Sequence, residues 1–282
     1  MIAVVDYQKG NLKSVERGLI AAGGEALITA DASEIAKADA IVLPGVGAFA
    51  DAAATMRELG QMEAIRDRVR AGVPFLGICL GEHLMFEHGV EGAPEGNPAC
   101  GLGLLPGTVV AMPRCDAQGK AFKVPHVGWN TIEIPACSGG AAVPPRGEGG
   151  GNAVLSSGGA GGGAARSSAA KRGLFEHGAF PGSAPQVGSE LAFPDSAPQA
   201  GSDLAFACPL FDGIAPGEYF YFTHSYIAPT GPHTIAETTH STRFTSAVQF
   251  GERAFGVQFH PEKSSDAGAR VLANFVAIAA RG

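Results

Sequence analysis

Pro74-Phe75-Leu76-Gly77-Ile78-Cys79-Leu80-Gly81-Glu82-His83 is the stretch whose reading decides the fold. The apolar run over residues 73–78 has the character of a buried parallel strand. It ends in a cysteine held between two glycines, and a helical pattern over residues 80 to about 88 follows at once. This is the G-x-nucleophile-x-G elbow with cysteine in place of serine. So sharp a turn leaves no room for side chains at Gly77 and Gly81. It also lifts the sulfur above the sheet, at a helix N-terminus whose free N–H groups favour the thiolate. From this stretch alone two readings stay open: a nucleophile, or a buried and inert cysteine.

Upstream, residues 2–7 read as a strand ending in Asp6-Tyr7. Gly10-Asn11 gives a turn and an N-cap. Leu12, Val15, Leu19 and Ile20 recur at helical spacing, and Gly23-Gly24 stops that helix. Residues 25–29 and 40–43 are two further strands, the second running into Pro44-Gly45-Val46-Gly47. An amphipathic helix over about 49–71, open to a break at Gly60, leads back to the elbow strand. This alternation predicts an α/β fold: a doubly wound, mostly parallel, mixed sheet between helices, in three layers. Ligands of such sheets sit at the carboxyl ends of the strands. Asp6, residues 45–47 and Cys79 are therefore expected to share one crevice.

Beyond Glu87 the pattern is mainly β, with strands expected at 108–112, 127–134, 219–222, 233–239, 245–250 and 254–259. A glycine-leucine loop lies at 101–106, and a last helix covers 265–280. Residues 136–207 are dominated by Gly, Ala, Ser and Pro, and the unit Ala-Phe-Pro-x-Ser-Ala-Pro-Gln starts at both Ala179 and Ala192. Two copies are too few for a solenoid. Such a composition lacks the apolar surface to offset its ordering entropy. The expectation is one domain over 1–282, with its core at 1–135 and 208–282 and a disordered insertion at 136–207.

The chain has 282 residues, a formal net charge of −7 and no block of Lys or Arg. That argues against nucleic acid or a membrane surface as partner, since both select a basic face. No apolar run reaches the roughly 18 residues of a membrane span. Met1 leads straight into a strand pattern without the basic start of a signal peptide. Five cysteines without paired spacing fit a reducing cytoplasm better than a disulfide framework.

A cysteine nucleophile needs a base, and the base needs an orienting carboxylate. The apolar strand at 254–259 ends in His260-Pro261-Glu262, which offers both, with Pro261 stiffening the link. A surface His-Pro-Glu turn is the plain alternative. An oxyanion hole would take the backbone N–H of Leu80 and a second donor from Gly45, Val46 or Gly47, whose glycines allow close approach. His83 and His88 are five residues apart, against the four of H-E-x-x-H, so neither a metal nor another cofactor is expected.

Gly77-Ile78-Cys79-Leu80-Gly81 together with His260-Pro261-Glu262 resembles the class I glutamine amidotransferases. Further segments resemble the glutaminase subunits of imidazole glycerol phosphate synthases. They are Asp6-Tyr7 with Gly10-Asn11-Leu12-Lys13-Ser14-Val15, Pro44 to Phe49, Pro125-His126-Val127-Gly128-Trp129-Asn130, Tyr219-Phe220-Tyr221-Phe222 with His224-Ser225-Tyr226, and Gly256 to Ser264. The likeness covers 1–135 and about 208–282. It implies hydrolysis of L-glutamine to glutamate and ammonia by a triad of Cys79, His260 and Glu262. It implies that ammonia passes to a (βα)8-barrel synthase subunit in a cytoplasmic heterodimer, for imidazole glycerol phosphate and an aminoimidazole carboxamide nucleotide in histidine synthesis. Glutaminase activity would be slight until the partner is loaded, with residues 45–47 as the switch. The resemblance also implies substrate contacts at His83, His224, Ser225 and Tyr226, and a partner surface at Asn11, Lys13, Trp129 and Lys263.

This chain departs from that pattern twice. Glu82-His83 stands where the family usually has Met-Gln, the glutamine being a substrate contact, and Gln8 stands where the family tends to glycine. A neutral His83 ring can hydrogen-bond substrate as the amide does, or it can weaken binding. Two other functions stay open at this level. One is an amidotransferase serving a different acceptor, such as the anthranilate or guanylate pathway. The other is a binding subunit with impaired turnover.

Overall fold

The computed structural model of the protein describes residues 1–134 and 208–281. The expected insertion at 136–207 lies outside the described residues. The chain begins β1 (Ile2–Val5), α1 (Leu12–Ala21), β2 (Ala26–Thr29), α2 (Ala32–Ile35), β3 (Ala40–Gly45), α3 (Phe49–Glu58), α4 (Gln61–Arg70), β4 (Phe75–Cys79) and α5 (Leu80–His83). There follow β5 (Phe86–Gly89), β6 (Ala99–Cys100), β7 (Leu105–Ala111), β8 (His126–Thr131), β9 (Tyr219–His224), β10 (Tyr226–Ile227), β11 (Thr234–Thr239), β12 (Arg243–Phe250), β13 (Ala254–Val257) and α6 (Ser265–Ala280).

Seven strands form the main sheet in the order β11-β12-β13-β4-β3-β1-β2. The five from β13 to β2 are parallel, and β12 and β11 extend the edge antiparallel. Alternation along β1 shows the layering. Ile2 and Val4 pack with Val15, Leu19, Val271 and Phe275 from α1 and α6. Ala3 and Val5 pack with Phe49, Met56, Ile65 and Val69 from α3 and α4. Strands buried on both faces read as continuous apolar runs, which is why β3 and β4 were plain in the sequence. The fold is thus the three-layer α/β mixed sheet. Smaller sheets, β10-β7-β5-β6 and the β8-β9 ribbon, lie beside it.

Several local expectations need correction. The long helix at 49–71 is two helices, since Gly60 adopts φ 67° between them. The helix after the elbow stops at His83 instead of about 88, because Phe86 and His88 pair with Leu105 and Thr108 of β7. That pairing outweighs helical propensity over a short stretch, and it starts a strand inside the loop expected at 101–106. Asn11 holds the N-cap position of α1 without a capping side-chain bond. Helix α2 was not anticipated, though Asp31 accepts from Ser33 N at 2.7 Å and Glu34 sits in its first turn, a capping signature that the sequence carried. Among the described residues, no helix is long and apolar enough to cross a membrane.

Candidate active site

The elbow is built by exclusion of side chains. A Cβ on Gly77 would lie 2.5 Å from the carbonyl oxygen of Gly81, and one on Gly81 would collide with the carbonyl oxygen of Leu43 on β3. Cys79 adopts φ 54°, a left-handed value rare outside glycine. Such strain costs roughly 1–3 kcal/mol. Burying one large apolar side chain contributes about 1.5–3 kcal/mol, so the surrounding core, with Phe75 and Leu76 fully buried in the same strand, can hold it. The sulfur lies 3.9 Å from the Thr223 carbonyl oxygen of β9.

Strand β13 ends beside β4, with Val257 in register with Ile78, and delivers His260 to the elbow. The His260 backbone N–H donates to Tyr221 O at 2.9 Å, and Ser264 Oγ donates to His260 O at 2.6 Å. Pro261 opens a 3-10 turn over Pro261–Lys263 that swings Glu262 back under the ring. His260 Nδ1 donates to Glu262 Oε1 at 2.9 Å, and both side chains are almost wholly buried. Burial by itself would push the imidazole down. The nearby Cys79 sulfur and the Glu262 carboxylate bonded at Nδ1 outweigh it and lift His260 to about 9. His260 Nε2 makes no hydrogen bond of normal length in this resting geometry. Catalytic bonds of this kind often tighten only around substrate.

In front of the sulfur is a pocket of about 350 Å3, within the size range of small-molecule sites. Val46, Gly47, Leu80, His83, His224, Ser225 and Tyr226 line it with Cys79. Gly45 is paired with Cys79 across β3 and β4, and Gly47 takes φ 105°, a conformation suited to glycine. The Tyr7 hydroxyl sits where a Cβ on Gly45 would be, under this strand; burial, then the nearby Cys79, push its phenol up. Asp6 does not line the pocket as expected. Its carboxylate accepts from the N–H of Gln8, which itself holds φ 71°.

His83 is four residues beyond Cys79 and buried at the pocket wall. Its Nε2 lies 2.8 Å from Gln258 Oε1, and burial pushes it down to about 4, so the ring is neutral. His224 has both nitrogens engaged. Nδ1 donates to Tyr226 O at 2.8 Å, and Nε2 faces His126 Nδ1 at 3.0 Å, while Asn130 Nδ2 reaches His126 Nε2 at 3.3 Å. This chain of neutral rings braces the β8-β9 ribbon, and burial holds His126 at about 4 and His224 at about 3. His224 therefore meets the pocket as a wall.

The residues expected at a partner surface fall partly together. Trp129 and Tyr221 are in edge contact across the ribbon at 6.1 Å, and Lys263 Nζ stands 5.9 Å over the Tyr221 ring. Trp129 is 51% exposed, and Val127 and Tyr219 on the same ribbon are also exposed. Asn11 and Lys13 lie at the start of α1, where Lys13 pairs with Glu16. His83 on α5 and His88 on β5 do not form a cluster. Among the described residues, no group of three or more His, Cys, Asp or Glu is placed to hold a metal. Sequence reasoning assigns no role to Gln258, although it lies two residues before His260 and its side chain reaches both His83 and Cys79.

Residues 18–132 match the CobB/CobQ-like glutamine amidotransferase domain, and residues 187–279 match glutamine amidotransferase class-I. The chain is 35% identical over 277 residues to imidazole glycerol phosphate synthase subunit HisH of Rhodopirellula baltica, covering 98% of this chain and 96% of the relative. It is 35% identical to the HisH subunit of Moorella thermoacetica, covering 97% and 93%, and 33% identical to that of Aromatoleum aromaticum, covering 99% and 98%. Among solved structures, a glutamine amidotransferase aligns with TM-score 0.55 at 16% identity, over 99% of this chain and 98% of that one. PurLQS from Thermotoga maritima aligns with TM-score 0.54 at 14% identity, over 98% and 97%. The structural likenesses speak for the fold alone.

Proposed function

Since the chain belongs to the family of imidazole glycerol phosphate synthase subunits named HisH, we propose that Cys79, His260 and Glu262 carry its glutaminase reaction. The protein is a class I glutamine amidotransferase, an enzyme that hydrolyses glutamine in histidine biosynthesis as one subunit of a synthase complex. The observation that carries the residue assignment is the meeting of two strand ends: a strained cysteine on β4 and a bonded His-Glu pair beyond β13, at one pocket.

In this reading the Cys79 sulfur attacks the side-chain carbonyl carbon of glutamine. The oxyanion is held by the Leu80 N–H and a donor from residues 45–47. His260 carries its proton at neutral pH and delivers it to the departing ammonia. Water then attacks the thioester, His260 takes the water's proton, and glutamate leaves with the thiolate restored. Glu262 keeps the ring oriented through Nδ1 and stabilises its charged form. Pocket walls at His83, His224, Ser225 and Tyr226 hold the amino-acid end of the substrate.

The partner belongs to the same reading: a (βα)8-barrel synthase subunit in a cytoplasmic heterodimer, meeting Trp129, Lys263, Asn11 and Lys13 and receiving the ammonia. The exposed ribbon supports that side. Residues 1–135 and 208–282 act as one domain. The test is glutamate release from glutamine with synthase subunit and its nucleotide present. Wild type should turn over and Cys79→Ala should fall to background; equal rates would remove Cys79 from the chemistry.

A further inference from the structure

Gln258 is fully buried, and its backbone N–H donates to Ser246 O at 3.0 Å, which extends the β12-β13 pairing by one more bond. It lies just past β13, two residues before His260, and its side chain reaches the elbow as that of His260 does. Its amide spans two groups of the site. Oε1 lies 2.8 Å from His83 Nε2, and Nε2 lies 3.7 Å from Cys79 Sγ. We propose that Gln258, held in orientation by His83, is a positioning residue for Cys79, its amide N–H aimed at the sulfur so as to favour the anion that attacks substrate.

Two proton arrangements satisfy the bond pattern, and the proposal takes one of them. With Oε1 towards His83 Nε2 at 2.8 Å, His83 carries its proton on Nε2 and the amide turns its N–H groups towards sulfur. The reversed amide would turn its oxygen to the sulfur, which suits a thiol and repels a thiolate. The tautomer of His83 therefore selects the amide orientation, and the amide orientation selects the charge state of the nucleophile. A neutral His83 fits this, since burial holds it down. The same tautomer leaves Nδ1 as an acceptor on a residue of the pocket wall, available to a donor of the substrate. His83 thus has a task that the family's glutamine contact with substrate does not describe. An N–H donor to a developing anion is a charge-assisted bond, stronger than a neutral one.

The other titratable groups around the sulfur are Glu82 on α5, Tyr7 beyond β1 and His260 beyond β13. The test leaves all three in place. The proposal rests on Cys79 being the nucleophile. Alkylation of Cys79 by iodoacetamide is followed across pH in the full chain and resolved by peptide mass spectrometry, because Cys100 and Cys115 are exposed and also react. In Gln258→Met, which keeps length and loses the donor, the Cys79 curve should move up by about one pH unit, a tenfold loss of reactive form at fixed pH. His83→Phe should move it the same way by no more than that. The double variant should move no further than Gln258→Met, because both act through one amide. In the loaded complex, Gln258→Met should lose kcat with little change in KM for glutamine. A soluble, folded Gln258→Met with an unshifted curve overturns the proposal, and shifts that simply add in the double variant overturn the part given to His83. Full glutaminase activity in Cys79→Ala would instead remove the nucleophile, and the proposal with it.

Discussion

Two glutamate side chains lie buried beside Cys79, one on each of the chain ends that meet there. Beyond β13, Glu262 gives Oε1 to His260 at 2.9 Å. On α5, Glu82 is fully buried against Gly256 and Met85, and neither of its oxygens has a hydrogen-bond partner. Burial, then the nearby Cys79, raise Glu82 well above the ordinary carboxyl value. Side-chain type and burial are alike, so pairing makes the difference. A buried carboxylate with a charged partner can orient and stabilise an imidazolium. One without a partner is kept neutral, and its desolvation weighs on the fold.

Breaking the paired member should give the largest effect. Glu262→Gln keeps the shape and removes the charge under His260, and should lower kcat for glutamate release by about 10²–10⁴-fold in the loaded complex. A loss of less than about threefold would place Glu262 outside the catalytic machinery.

Removing the unpaired member should help the fold. Glu82→Met, which keeps the length and removes the carboxyl, should stabilise by ~1–3 kcal/mol near neutral pH, read from urea unfolding. The sign has a pH signature. A carboxyl whose folded-state value is raised contributes fully below its unfolded value of 4.5 and loses that contribution as pH rises. The advantage of Glu82→Met should therefore be smallest at about pH 4.5 and widen upward. A constant difference across pH would mean that Glu82 is not held neutral.

Histidines repeat the contrast with weaker effect. His83, His126 and His224 are buried neutral, at about 4, about 4 and about 3. Unfolded, they take up protons below 6.5, so their contribution is complete above that value and is lost as pH falls through the folded values. Paired His260 runs the other way: its contribution is complete below 6.5 and lost as pH rises through about 9. In His126→Phe, urea midpoints measured at about pH 5 and pH 7 should lie closer together than in wild type. An unchanged gap would remove His126 from the acid limb.

The smallest effect concerns backbone. Cys79 and Gln8 both hold left-handed φ values, one at the elbow and one in a turn closed by Asp6. Gln8→Gly relieves strain but loosens the unfolded chain, so the two terms nearly cancel and stability should change by no more than ~0.5 kcal/mol. A larger gain would mark Gln8 as a strained position like Cys79.

The parts legible from sequence were those with one physical cause. The parallel strands are continuous apolar runs because both faces are covered, and Gly77 and Gly81 are explained by what a Cβ would strike. His260 and Glu262 were legible because a single proline, Pro261, links them. What was missed depends on partners distant in sequence. The helix after the elbow is short because β5 pairs with β7, a contact no local pattern announces. Gln258 looked like one more strand residue until His83 and Cys79, 175 and 179 residues away, were found at its two ends.

The central claim is that Cys79 is the nucleophile, and covalent capture tests it most directly. The loaded complex is incubated with a γ-diazoketone analogue of glutamine, which alkylates the group that attacks its carbonyl region, and the labelled peptide is then sequenced by mass spectrometry. The account predicts one modified residue, Cys79, with glutaminase activity lost in step with labelling and glutamine protecting against both. Activity lost while Cys79 stays unmodified, or Cys79 modified with activity intact, would contradict it.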